Sequence, residues 1–305
     1  MDERNENTLM GKVIVITGAS SGFGKGTALR FAEAGASVIL AARRGRLLQE
    51  LQARCEDLGG SALAIPTDVS RMADVERLFE KTMEEFGRID VWLNDAGVGA
   101  IGPFEKVPLK EHHQVVMTDL MGTISGSYFA YRQFLRQGSG ILINIASELG
   151  RHTVPYYSSY TAAKHGVVGL SDSLRQELTA NDITEIHVCT VMPTAHDTPF
   201  FDHAGNHTGR EVLAPDPLHD PENVVETLYR LVQNPKDEKI VGGDGIVKIL
   251  MKNLAPKVQE KRAAQQMHEQ QMVEQPPAEE TSGAVFTPVP EGTGVSAGRN
   301  AAREH

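Results

Sequence analysis

The chain is 305 residues long, with 40% hydrophobic residues, 23% charged residues and a formal net charge of −10. An acidic balance excludes nonspecific nucleic-acid binding, which needs a basic face, and the composition is that of an ordinary globular protein. No apolar run reaches the ~18 residues of a spanning helix, so no integral membrane segment is expected. The opening stretch MDERNENTLMGK is polar and lacks the apolar core of a secretory signal. Cys55 and Cys189 lie in a helical and a strand-like stretch, which suggests reduced thiols and a cytoplasmic location.

Strand-like and helical patterns alternate from residue 12 to about residue 245. KVIVIT (12–17) reads as a buried strand, GKGTALRFAEAG (24–35) as a helix stopped by glycine, and SVILAA (37–42) as the next strand. A helix at 46–60 follows, then a strand at 62–69, a helix at 72–87, and the strand IDVWLNDAG at 89–97 running into a loop. Beyond it come a long helical region at 109–137, a strand at 139–147, a helix at 157–180 and the strand EIHVCTVMP at 185–193. The strands are continuously apolar, as expected when helices cover both sheet faces. Such βαβα alternation predicts an α/β, Rossmann-like doubly wound parallel sheet of about seven strands, its ligand crevice at the strands' carboxyl ends.

A single domain over residues 8–255 accounts for this pattern, with a Pro-, Gly- and His-containing excursion at 194–220 read as a substrate loop or lid. Past residue 255 the chain is rich in Gln, Glu, Pro and Gly. The extension 256–305 is therefore expected to begin as a helix and continue as a largely disordered tail, because it offers little surface to offset its ordering entropy. Val285, Phe286, Val289 and Pro290 are its candidates for docking. The stretch at 245–261 carries mixed apolar and basic faces and is expected to pack on the domain or a partner rather than on a membrane surface.

Three features carry chemistry. After the first strand stands Thr17-Gly18-Ala19-Ser20-Ser21-Gly22-Phe23-Gly24, where glycines allow a tight turn and a pyrophosphate can meet the following helix N-terminus. At the end of the second strand Ala42 occupies the place of the carboxylate that would bind an NAD ribose, and Arg43 and Arg44 follow, so NADP(H) is favoured over NAD(H). Asp68 and Val69, ending the third strand, are candidates to flank the adenine. Finally, Tyr160 and Lys164 are four apart in a helical stretch and share a face.

Together these residues resemble the short-chain dehydrogenase/reductases over roughly residues 10 to 245. The T-G-x-x-x-G-x-G stretch (Thr17 to Gly24), NDAG at 94–97, INIAS at 143–147, the Tyr160–Lys164 pair and PTAHDT at 193–198 carry the resemblance. It implies that Tyr160 is the general acid/base, that Ser147 orients the same substrate oxygen, and that Lys164 holds the nicotinamide ribose and lowers the phenol pKa. Cofactor contacts are then implied for Gly18, Ser20, Ser21, Gly22, Phe23, Gly24, Asn94, Ala96, Gly97, Tyr160 and Lys164, and for Pro193, Thr194, His196 and Thr198 around the nicotinamide. A homodimer or homotetramer through 109–137 and 157–180, acting on a small-molecule carbonyl or alcohol, is also implied.

Three residues depart from the family pattern. Asp119 stands where an asparagine is usual in the catalytic set, and its charge is expected to oppose Lys164 and raise the Tyr160 pKa. Asp95 replaces the second asparagine of the NNAG stretch, and Thr194 replaces a glycine. The departures keep open a catalytically weak dinucleotide sensor or scaffold on the same fold. His196, His203 and His207 match no zinc spacing, so no metal site is expected; His112 and His113 are expected to face solvent, and Phe200 and Phe201 to line a pocket or anchor their loop.

Overall fold

The computed structural model describes residues 8–243 and 256–300. Most of the amphipathic stretch read at 245–261 lies outside the described residues. The elements are β1 (Val13–Thr17), α1 (Gly22–Glu33), β2 (Ser37–Ala42), α2 (Gly45–Asp57), β3 (Ser61–Pro66), α3 (Met72–Phe86) and β4 (Val91–Asn94). They continue as β5 (Ala100–Ile101), α4 (Leu109–Val116), a π-helical turn (Met117–Met121), α5 (Gly122–Gln137), β6 (Gly140–Ile145), α6 (Ser158–Ala180) and β7 (Ile186–Pro193). After these come α7 (Phe200–His203), β8 (Gly205–Asn206), α8 (Glu222–Gln233), β9 (Glu238–Val241) and α9 (Pro256–His268).

Seven strands form one sheet in the order β3-β2-β1-β4-β6-β7-β9, and every neighbouring pair is parallel. Successive strand residues point to opposite faces, and the packing follows that period of two. Ile14 and Ile16 join Phe31 of α1, Leu48 of α2 and Leu228 of α8 on one side. Val13 and Val15 join Leu78 of α3, Phe134 of α5 and Leu178 of α6 on the other. This is why the strands read as unbroken apolar runs. Phe134 and Trp92 are fully buried, and truncating either to alanine would cost about 3–5 kcal/mol.

β1 lies between β2 and β4, so consecutive connections diverge there and leave a crevice beyond its carboxyl end. The seventh strand, β9, was not located by pattern: its exposed Glu238 and Lys239 suit a sheet edge but hide a short strand. The excursion at 194–220 is not irregular throughout. It holds α7 and β8, and β8 pairs in parallel with β5 through Ala100–Gly205 and Ile101–Asn206. No helix among the described residues is long and apolar enough to cross a membrane.

The tail differs from the expected solvated segment. Residues 282–300 lie against the domain, with Ala284 and Val285 buried, because their backbone carbonyls find cationic donors there. His112 also differs: it is buried, its ring bonded to the Phe104 carbonyl, since α4 packs under that loop. Cys55 and Cys189 are free and buried, and burial pushes their thiols up to about 12 and about 11, which leaves them unreactive.

Candidate active site

The loop from β1 into α1 is held close to the β4 end. Gly18 has φ of 76°, and a Cβ there would come 2.9 Å from the Ala96 nitrogen, so only glycine fits. The Thr17 hydroxyl accepts the Asp95 and Ala96 N–H groups at 3.1 and 3.2 Å and ties the two strand ends together. The Asp95 carboxylate accepts the Gly24 N–H at the start of α1. Burial pushes that carboxyl up to about 7, against the pull of Lys164 and of the Gly24 N–H.

Helix α6 delivers the Tyr160–Lys164 pair. The Lys164 ammonium lies over the Tyr160 ring, 5.4 Å from its centroid, donates to the Ile145 carbonyl at 3.1 Å and faces Asp119 Oδ2 at 3.6 Å. Asp119 sits in the π-helical turn, fully buried, with Oδ1 accepting the Val98 N–H at 2.8 Å. Burial pushes its carboxyl up to about 6, although Lys164 and the Val98 N–H favour the charged form. The Tyr160 phenol is raised well above its ordinary range, first by burial and then by the Asp119 charge. The Ser147 hydroxyl opposes that rise, while Asp95 and Glu148 add to it. The Lys164 ammonium beside the ring is shared with Asp119 and the Ile145 carbonyl.

Ser147 follows β6, and its hydroxyl accepts the Leu149 N–H at 3.1 Å as cap of a short helical turn. Ser147, Tyr160 and Lys164 all line a cavity of about 700 Å3, together with the β1–α1 loop residues Gly18, Ser20, Ser21, Gly22 and Phe23. Arg43, Arg44, Asp68, Val69, Ala96 and Gly97 line it at the β2, β3 and β4 ends, and Pro193, Thr194, His196 and Thr198 beyond β7. Arg44 forks onto the loop, donating to Ser20 Oγ at 3.0 Å and Ser21 Oγ at 2.8 Å.

Three expected site residues stand behind the wall instead. Asn94 is buried in a polar network, accepting from Trp92 Nε1 at 2.8 Å and donating to Asn144 Oδ1 at 2.8 Å. Gly24 acts through its contact with Asp95, and Asp119 through Lys164. His203 and His207 join no metal cluster among the described residues; His207 Nε2 is instead 2.8 Å from Glu111 Oε2.

Apolar residues that the sequence did not single out close the far end of the cavity: Leu149, Val154, Tyr157 and, from α9, Met267. Phe200 packs on Tyr160 with ring centroids 5.2 Å apart, so it lines the pocket. Tyr157 precedes Tyr160 by less than one helical turn, a spacing that could have flagged it. Nothing in the sequence signals Met267, which arrives only through folding of the extension.

The short chain dehydrogenase family profile matches residues 12–208. The chain belongs to the short-chain dehydrogenase family. As such it is an oxidoreductase, and its relatives are named accordingly. It is 31% identical over 278 residues to the uncharacterized oxidoreductase YxnA of Bacillus subtilis (strain 168), covering 90% of this chain and 78% of that protein. Among solved structures it resembles a short chain dehydrogenase/reductase from Burkholderia phymatum in complex with NAD, with TM-score 0.73, 24% identity, and coverage of 83% of this chain and 96% of that one. It also resembles an alcohol dehydrogenase from the archaeon Thermococcus sibiricus complexed with 5-hydroxy-NADP, with TM-score 0.66, 24% identity, and coverage of 75% and 95%. These two likenesses establish the doubly wound fold of this short-chain dehydrogenase, and its cavity lies at the crevice that fold provides.

Proposed function

We propose that the protein interconverts a carbonyl and an alcohol with NADP(H) as hydride carrier and Tyr160 as general acid/base. One observation carries this reading: Ser147, Tyr160 and Lys164 open into the same cavity of about 700 Å3 as the glycine loop of α1. The cavity also fits a dinucleotide chemically. Gly18 lets the loop lie against the β4 end, the α1 N-terminus favours an anion, and Arg43 and Arg44 line the cavity with positive charge suited to a ribose phosphate. No carboxylate ends β2 to repel that phosphate, which supports NADP(H) over NAD(H).

When bound, the nicotinamide supplies or accepts the hydride at the reacting carbon. The protein's part is proton transfer and positioning. Tyr160 gives its proton to the carbonyl oxygen during reduction and takes it back during oxidation, and the Ser147 hydroxyl orients the same oxygen. Lys164 holds the ribose and carries charge beside the ring, with Asp119 balancing it. Phe200, Leu149 and Tyr157 exclude water and favour a carbonyl with an apolar substituent. We read Asp68 and Val69 as the adenine end, and Pro193, Thr194, His196 and Thr198 as the nicotinamide end. Exposed Met121, Tyr128 and Leu135 on the α4–α5 rod support a homodimer or homotetramer, and a cytoplasmic location accords with the two free thiols.

The test is a fluorescence titration with NADPH and NADH, followed by turnover on a panel of ketones and aldehydes. NADPH is expected to bind more tightly than NADH, Arg43→Ala to narrow the difference, and Tyr160→Phe to bind NADPH normally while losing turnover. Binding of neither dinucleotide would overturn the reading; full turnover by Tyr160→Phe would remove the acid/base role.

A further inference from the structure

The extension crosses the mouth of the dinucleotide crevice from end to end. It is pinned at one end where Ser282 Oγ donates to the buried Glu111 at 2.7 Å and the Ala284 N–H donates to the His203 carbonyl at 2.7 Å. In the middle, Arg43 donates to the Ala284 carbonyl at 2.6 Å and the Phe286 carbonyl at 3.0 Å, and Arg44 to the Glu291 carbonyl at 3.3 Å. The Gly22 N–H then donates to the Gly294 carbonyl at 2.9 Å and Lys25 Nζ to the Thr293 carbonyl at 2.8 Å. At the far end Asp197 accepts from Ser296 Oγ at 2.8 Å and from the Asn300 N–H at 3.3 Å.

This path is built into the chain. Gly292 has φ of 63°, and a Cβ there would press on His203 Nε2 and lie 2.9 Å from Pro199 Cβ. Val285 is fully buried, and Val295 packs on Gly26 of α1, where a Cβ would come 3.0 Å from its methyl. Beneath the extension the cavity stays open: Ala284, Pro288 and Val289 line it opposite the glycine loop. The extension therefore roofs the space without filling it. Its carbonyls are neutral, so the charge of Arg43 and Arg44 remains, but the Arg43 Nη1 and Nη2 donors and the Gly22 N–H are engaged by the extension and turn to a phosphate only when it shifts.

We propose that residues 282–300 form a strap that is the outer wall of the dinucleotide site and must lift for the cofactor to exchange. This rests on the dinucleotide reading above and extends it to a segment outside the matched family region. The strap slows release, and through release it tightens binding, since affinity differences among variants of one site are mostly differences in dissociation rate.

The test measures NADPH release by stopped-flow fluorescence after mixing the loaded protein with excess NADP+. Three proteins are compared: the full chain, a chain ending at Thr281, and the full chain with Gly292→Val, which keeps every buried anchor. Both variants are expected to release NADPH about tenfold faster with a correspondingly higher Kd. If truncation prevents folding, Gly292→Val decides alone. Equal release rates overturn the strap, and so does tighter binding by the truncated chain, which would make the extension a competitor for the site. If the full chain binds neither NADPH nor NADH, the dinucleotide reading fails and the strap with it. Binding with unchanged release sinks the strap alone.

Discussion

Asp95→Asn isolates the electrostatic cost of placing a carboxylate at the start of α1. The Asp95 carboxyl is pushed from 3.8 up to about 7, chiefly by burial. A folded-state pKa raised above the unfolded value means that the native state resists ionisation. Stability is then fully present below pH 4 and falls as the pH rises through 7. A rise of about three units at ~1.4 kcal/mol each sets an upper bound of ~4 kcal/mol. The residue is only half-buried and its charge is coupled to Lys164, so about half of that, ~2 kcal/mol, is the reasonable expectation. Asparagine keeps an oxygen for the Gly24 N–H and cannot ionise. The variant should come closest to the wild type near pH 4 and melt about 4–8 °C higher at pH 8. Thermal denaturation followed by circular dichroism at both pH values measures the difference. A melting difference that does not change with pH, or an asparagine variant less stable at pH 8, would refute the reasoning.

The same logic applies to the site's other elements. Asp119→Asn removes the charge that raises the Tyr160 phenol, so the alkaline limb of the pH–rate profile should move to lower pH, and coincident profiles would contradict the electrostatic role. It also leaves the buried Lys164 ammonium without its counter-charge, and chemical denaturation should show a loss of about 3 kcal/mol or less. Gly18→Ala forces a Cβ against the Ala96 nitrogen at positive φ, so NADPH titration should show at least about tenfold weaker binding, near 1.4 kcal/mol. Phe200→Ala uncovers Tyr160, and KM for apolar ketones should rise more than kcat falls if Phe200 only shapes the pocket.

The sequence by itself determined the sheet and the loop. Continuous apolar strands such as VIVIT are the direct consequence of helices on both faces, so the doubly wound fold was legible without contacts. Gly18 was legible because a backbone conformation closed to other residues leaves a mark on residue type. Local spacing likewise put Tyr160 and Lys164 on one helical face. What spacing does not encode is which third group an ammonium faces. Only the packing of the π-helical turn against α6 set Asp119 3.6 Å from Lys164, and only burial raised the carboxyls of Asp95 and Asp119. The extension marks the same boundary. Its composition forecast disorder, but it is held by side chains such as Ser282, Val285 and Ser296 and by backbone carbonyls on Arg43, Arg44 and Gly22. Backbone groups are common to every residue, so a segment fixed partly through them leaves little trace in sequence, and tertiary structure alone decided where it lies.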